Sequence, residues 1–103
     1  MKTFLVIAHD ADDDGVLARR DESRADHFAR LPPLVEAGQI IAGGGMLDEN
    51  EEKAIGSAFF AEFESREALQ QWLDDDAFTR NGIWVRFDIL PMGMAVRDGK
   101  IVR

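Results

Sequence analysis

The chain opens on an unbroken apolar run, Thr3-Phe4-Leu5-Val6-Ile7-Ala8. Such a run, rich in bulky and β-branched side chains and without polar alternation, predicts a strand covered on both faces. From Ala11 to Arg20 polar residues dominate, which predicts a loop with a short helical turn around Val16-Leu17. Ser23, with Asp26 three residues on, has the pattern of a helix N-cap: the hydroxyl accepts an orphan backbone N–H and the carboxylate favours the positive helix end. Phe28, Leu31 and Leu34 or Val35 follow at spacings of three and four, and Gly38 predicts the C-terminal stop. Pro32 and Pro33 lack the N–H a helix interior needs, so the pattern predicts a break there, with Pro32 opening a second short helix.

Gln39-Ile40-Ile41-Ala42 reads as a second strand running into Gly43-Gly44-Gly45. The glycines predict a bend or a close backbone approach. The acidic stretch from Leu47 to Lys53 predicts a loop. Ser57 to Phe63 reads as a third strand with Phe59, Ala61 and Phe63 on one face. Ser65 caps a second helix whose apolar stripe is Ala68, Leu69, Trp72 and Leu73, and which ends in Asp74-Asp75-Asp76. In the last long strand Ile83, Val85, Phe87 and Ile89 alternate with Trp84, Arg86 and Asp88. After Pro91, Asp98-Gly99 between β-branched residues predicts a terminal hairpin.

The order is therefore β-α-β-β-α-β plus a hairpin: an α+β, ferredoxin-like split βαβ domain over residues 1–103 with a four-stranded antiparallel sheet. Two helices cover one face of such a sheet. The first strand is apolar on both sides, and Ala58 and Phe60 lie opposite Phe59 and Phe63. The second face predicts a cover, and the simplest is the same face of a second copy. The expectation is a homodimer with its sheets face to face, forming a dimeric α/β barrel; a dimer of dimers stays open.

Charge and residue usage narrow the function classes. Twenty acidic against twelve basic residues give a net charge of −8 in 103 residues. That balance argues against a nucleic acid or an anionic membrane as partner. The absence of cysteine excludes a thiolate nucleophile and a zinc ribbon. The N-terminal apolar stretch is too short for a signal peptide or a membrane span, so a cytoplasmic location is expected. Gly43 to Gly45 ends a strand without opening a helix and is no P-loop or dinucleotide fingerprint.

Several features in order carry a family resemblance: Arg24-Ala25-Asp26-His27, Ala37-Gly38 before a strand, the Gly43–Gly45 turn, Gly56-Ser57, Phe63-Glu64-Ser65, Trp72, and Asp76 with Gly82 six residues later. Over about residues 1–91 the chain resembles the YCII-related (YciI-like) family of small dimeric ferredoxin-like proteins. It departs from that pattern at Met46, at Ala77 and at Pro32-Pro33. The resemblance implies a fold similar to that of muconolactone isomerases and antibiotic-biosynthesis monooxygenase-like proteins. It also implies that some relatives dehydrochlorinate chlorinated hydroxyquinols, and that His27 and Asp76 form the active-site pair.

Read as residues, His27 follows the cap of the first helix and sits beside Phe28 on the core side. Its ordinary pKa, about 6.5, suits it to exchange protons at neutral pH. Asp76 would orient the ring and stabilise its charged form. The competing reading is a histidine that ties the helix to a neighbouring carboxylate and does no chemistry. Arg24, one turn before His27, is a candidate for an anionic ligand group, although the many acids nearby favour an ion pair instead. Ser57 is a candidate hydrogen-bonding residue and Gly45 a candidate pocket rim. No metal site is expected from the Asp74–Asp76 run, since three consecutive residues cannot all face one ion. His9 reads as a surface residue. The expected function is binding of a small molecule, with cofactor-free elimination (dehydrochlorinase-like) or isomerisation by a His27–Asp76 pair. The alternative is a non-catalytic binding or assembly module.

Overall fold

A computed structural model describes residues 1–103. The elements are β1 (Lys2–Asp10), α1 (Val16–Ala29), α2 (Leu31–Glu36), β2 (Ile40–Leu47), β3 (Ala54–Phe63), α3 (Arg66–Asp74), α4 (Ala77–Arg80), β4 (Trp84–Pro91), β5 (Val96–Arg97) and β6 (Lys100–Ile101). The four long strands form one antiparallel sheet in the order β2-β3-β1-β4, which is the expected α+β, ferredoxin-like arrangement. No helix is long and apolar enough to cross a membrane.

The register sorts the side chains into two faces. Val6 pairs with Phe59 and Ile89, Phe4 with Ala61, and Ala8 with Ser57 and Phe87, so these point one way. With Phe63, Leu69, Leu73, Phe78 and Ile83 they make the buried core under the helices. On the other face Leu5 pairs with Phe60 and Leu90, Ile7 with Ala58 and Asp88, and Met46 with Gly56. No helix lies over that second face; Leu5, Ile7 and Phe60 are half-buried there and Leu90 is exposed.

The structure departs from the sequence reading at three places and follows it at one, the two prolines. First, α1 begins at Val16, so the expected loop is helix and Ser23 is no cap. Ser23 is buried in mid-helix, where its hydroxyl accepts a hydrogen bond from Asn81 Nδ2 at 2.9 Å. Second, as expected, α1 stops at Ala29 and α2 restarts with prolines in its first turn, where their missing N–H groups cost nothing. Third, the Gly43–Gly45 segment stays within β2. A Cβ on Gly43 would stand 2.4 Å from the Phe59 Cβ, so glycine is what lets this edge strand close on β3. Fourth, the alternation in β4 fails at Val85. Asp10 pairs with Trp84 and His9 with Arg86, so Val85 is the extra residue of a β-bulge. The bulge turns Val85 outward, 60% exposed, and brings Trp84 into the core.

The terminal hairpin forms across Asp98 and Gly99, both with positive φ, as a type I′ turn requires. Arg97 anchors it by an ion pair with Glu62 and by donation to the Gly38 carbonyl.

Candidate functional site

Between α1, α2 and the helix-side end of β2 and β3 lies a pocket of about 530 Å³. Its walls are mostly apolar, and Phe28, Phe59, Trp72, Phe78 and Trp84 give them an aromatic character. The polar groups on the wall include His27, Arg24, Arg20 and Ser57. Gly43, Gly44 and Gly45 form part of the rim. The structure thus gathers His27, Arg24, Ser57 and Gly45 around one cavity and sets Asp76 directly behind His27.

Asp76 is fully buried. The sequence reading placed it at the C-terminal end of a helix, against the macrodipole. The structure corrects this: α3 ends at Asp74, Asp75 caps it, and Asp76 is the N-cap of α4. Its Oδ2 accepts from the Phe78 amide at 3.0 Å and from His27 Nδ1 at 2.7 Å, while Oδ1 accepts from Arg30 Nη1 at 3.1 Å. The other two carboxylates of the run turn elsewhere, Asp74 to Gln70 and Asp75 to Gln71. A carboxylate set among donors fixes the tautomer of its histidine partner. In the neutral ring His27 Nδ1 therefore carries the proton and Nε2 holds the lone pair.

Packing fixes the imidazole in place. The ring stacks on Phe78 at 3.9 Å between centroids, tilted by only 6°, and Trp84 meets it edge-on at 5.2 Å. No protein group bonds Nε2, and no buried polar side-chain atom in the chain lacks a partner. Nε2 is thus open to solvent, on the pocket side. The arrangement can accept a proton from a bound molecule at Nε2, while the buried carboxylate stabilises the cation that forms.

The cations around the pocket differ in how they are compensated. Arg20 forms a two-pronged ion pair with the nearly buried Asp10 carboxylate and also reaches the Gly56 carbonyl and Ser57 Oγ. Arg30 serves Asp76, donates to the Trp72 carbonyl and lies over the Trp72 ring. Arg24 lies over the Phe28 ring, 4.6 Å from its centroid, and has no carboxylate partner. Arg24 is therefore the uncompensated positive charge of the pocket.

Sequence reasoning missed Arg20, Asp10, Phe78 and the pocket role of Trp84. A signal for Arg20 existed. Had α1 been extended back to Val16, Arg20, Arg24 and His27 would have fallen on one helix face at spacings of four and three. Trp84 had no such signal, because a bulge is not written in the alternation it interrupts.

A second His–Asp pair lies on the helix-free sheet face. His9 Nε2 and Asp88 Oδ2 are 2.8 Å apart, with Arg86 at 3.4 Å from the same carboxylate. The His9 hydrogen bond, aided by Arg86, holds the Asp88 carboxyl below its ordinary range.

Comparison with known proteins matches this geometry to a family. The model of the YCII-related domain matches residues 3–93. Protein YciI of Escherichia coli O6:H1 is 34% identical over an alignment of 93 residues that covers 85% of this chain and 93% of that protein. An uncharacterized protein of Haemophilus influenzae is 27% identical over the same shares of both chains. Among solved structures, the 5-chloro-2-hydroxyhydroquinone dehydrochlorinase of Burkholderia phenoliruptrix AC1100, in complex with 2,5-dihydroxybenzoquinone, superposes with a TM-score of 0.70 at 25% identity. It covers 84% of this chain and 89% of its own. A dimeric ferredoxin-like protein of unknown function from Jannaschia sp. CCS1, with a TM-score of 0.50 and 11% identity over 91% of this chain and 100% of its own, shares the fold. With the family model spanning β1 to the end of β4 and a relative at 34% identity over nearly its full length, the chain belongs to the YCII-related family.

Proposed function

We propose that the chain is a small-molecule enzyme, a cofactor-independent lyase or isomerase that moves a proton with His27 and Asp76. One observation carries this reading: Nδ1 of His27 is tied to a buried carboxylate while Nε2 opens on an aromatic-walled pocket of about 530 Å³. In an elimination, Nε2 takes a proton from an acidic O–H or C–H of the bound ring. The freed electron pair moves into the ring, and a leaving group such as chloride departs with the electrons of its own bond. Asp76 stabilises the imidazolium until the proton is released to water. Arg24 holds an anionic group of the ligand, Ser57 hydrogen-bonds it, and the backbone at Gly45 lets it approach β2. The dehydrochlorinase among the structural relatives supports the reaction class.

The working unit in this reading is a cytoplasmic homodimer. The helix-free face, with Leu5, Ile7, Ala58, Phe60 and Met46 in one apolar band, meets the same face of a second copy. Two dimers pairing further is compatible with this arrangement.

A second reading has its own observation. Asp76 also binds Arg30 and the Phe78 amide, so it ties α1 to α4 whether or not chemistry occurs. In that case the chain is a ligand-binding or assembly module and the pair is structural. Chloride release from 5-chloro-2-hydroxyhydroquinone separates the two. The enzyme reading expects release above the spontaneous rate and a fall of about 10²–10⁴-fold in His27→Gln. Tight binding of 2,5-dihydroxybenzoquinone with no difference in chloride release between the two proteins would leave the binding-module reading standing.

A further inference from the structure

Ser57 lies on β3, opposite Gly45 on one side and Ala8 on the other, with its side chain on the helix face and on the pocket wall. Its hydroxyl oxygen receives two hydrogen bonds, from Trp84 Nε1 at 3.3 Å and from Arg20 Nη2 at 3.4 Å. An indole N–H and a guanidinium can only donate. Arg20 Nη2 has two N–H groups and shares them with Asp10 and the Gly56 carbonyl, so its contact with Oγ is the weakest of the three. Both protein neighbours of Oγ are nevertheless donors, which leaves the hydroxyl proton as what the group has to offer. No acceptor in the chain takes it. Two features of the fold make this arrangement. The β4 bulge at Val85 turns the Trp84 indole onto the helix face. Asp10, at the end of β1, holds the Arg20 guanidinium against the Gly56 carbonyl and Ser57.

We propose that Ser57 is a hydrogen-bond donor to the pocket's ligand, with Trp84 and the Asp10–Arg20 pair as the positioning groups that turn its proton inward. The ligand class follows from the complementarity of the two ends. His27 Nε2 takes a donor or acidic hydrogen; Ser57, with the uncompensated Arg24 nearby, takes an acceptor oxygen. The pocket therefore selects a planar ring that carries an ionised or carbonyl oxygen, a phenolate, enolate or quinone, and disfavours one that offers a hydroxyl proton at that end. This rests on the pocket identified above, and it deepens the reading of the site by fixing what the substrate must present. It does not require that turnover occur.

The test uses 4-nitrophenolate as the acceptor probe, above its own ionisation range, and 4-nitroanisole as an uncharged ring of similar shape. Wild-type protein is expected to bind the phenolate about tenfold or more tighter than the ether. Donation to a phenolate oxygen also shifts its visible band to the blue. Ser57→Ala should lose about tenfold in phenolate affinity and the blue shift, with ether binding unchanged, and Ser57→Thr should restore both. Trp84→Phe, which removes one donor to Oγ, should shrink the blue shift without abolishing ring binding. Equal binding of the two probes by wild type, or a Ser57→Ala variant that keeps the blue shift or weakens both probes alike, overturns the proposal. His27→Gln keeps the phenolate preference in this account, so failure of the proton-transfer reading and failure of this one give different results.

Discussion

The chain contains two histidines, and each meets an aspartate at nearly the same distance, 2.7 Å for His27–Asp76 and 2.8 Å for His9–Asp88. They differ in everything that decides chemistry. The Asp76 side chain is sealed and that of His27 nearly so, at 0% and 11% exposure, whereas Asp88 and His9 keep 44% and 31%. His27 offers Nδ1 to its partner and leaves Nε2 for the pocket. His9 offers Nε2, and its carboxylate partner leaves the lone pair on Nδ1. Asp76 accepts from three donors, one of them a backbone amide at a helix start, while Asp88 shares only His9 and the exposed Arg86. A His–Asp distance thus says little by itself. Burial, the tautomer it imposes and the cavity beside the free nitrogen set the His27–Asp76 pair apart from the half-exposed one.

The largest expected effect comes from breaking the buried pair. Asp76→Ala leaves the Arg30 charge, the Phe78 amide and the His27 Nδ1–H without their acceptor. Loss of one partner of a buried pair costs about 3–5 kcal/mol, a large share of the stability of a domain this size. Asp88→Ala opens only a half-exposed pair and should cost far less. Denaturant titration of both variants checks the contrast, and equal losses would break it.

Next is the exchange of the histidines themselves. His27→Gln should lower chloride release by about 10²–10⁴-fold while leaving the fold in place. His9→Gln should release chloride at the wild-type rate. A His9→Gln variant as slow as His27→Gln would mean that the wrong pair has been assigned.

A third experiment tests where the His9–Asp88 pair sits in the assembly. It shares its sheet face with Leu5, Ile7 and Phe60, so a homodimer through that face brings the pair to the interface. Leu5→Arg puts a charge into the apolar band and should convert the dimer to monomers in sedimentation velocity. The unmodified chain running as a monomer in dilute solution would remove the interface and the barrel with it.

The smallest effect concerns pH. The Asp88 carboxyl lies below its ordinary range because of the His9 hydrogen bond first and Arg86 after it. A carboxylate lowered in the folded state adds stability that is present above its unfolded pKa, about 3.9, and fades as the pH falls through the lowered folded value. Stability measured from about pH 6 down to pH 3 should therefore fall slightly less steeply in Asp88→Asn than in wild type, with the difference confined to the acid end. A difference that opens near neutrality would place its origin elsewhere.

The long strands, the break at the two prolines, the terminal hairpin and the uncovered sheet face were legible in the sequence because each rests on local chemistry: short apolar runs rich in strand-forming residues, a missing N–H, a turn that tolerates positive φ. The start of α1 was not. Gly15 and the acids before it read as loop, and Ser23 offers a convincing cap. Only tertiary contact, the Asn81 amide reaching the Ser23 hydroxyl, makes that residue an interior one. The cap role of Asp76 was hidden for a similar reason, since α4 is a four-residue turn held by α1. Residues of the pocket could be guessed one at a time, but the Asp10–Arg20–Ser57–Trp84 cluster depends on a bulge and a strand register that no local pattern encodes.

The most direct measurement is the ring-nitrogen ¹⁵N spectrum of the two histidines at about pH 8.5, roughly two units above the ordinary histidine pKa. Opposite tautomers are expected in one spectrum: His27 protonated on Nδ1 with a free Nε2, and His9 protonated on Nε2 with a free Nδ1. A His27 ring protonated on Nε2 would leave no base facing the pocket and would contradict the proton-transfer role at its root.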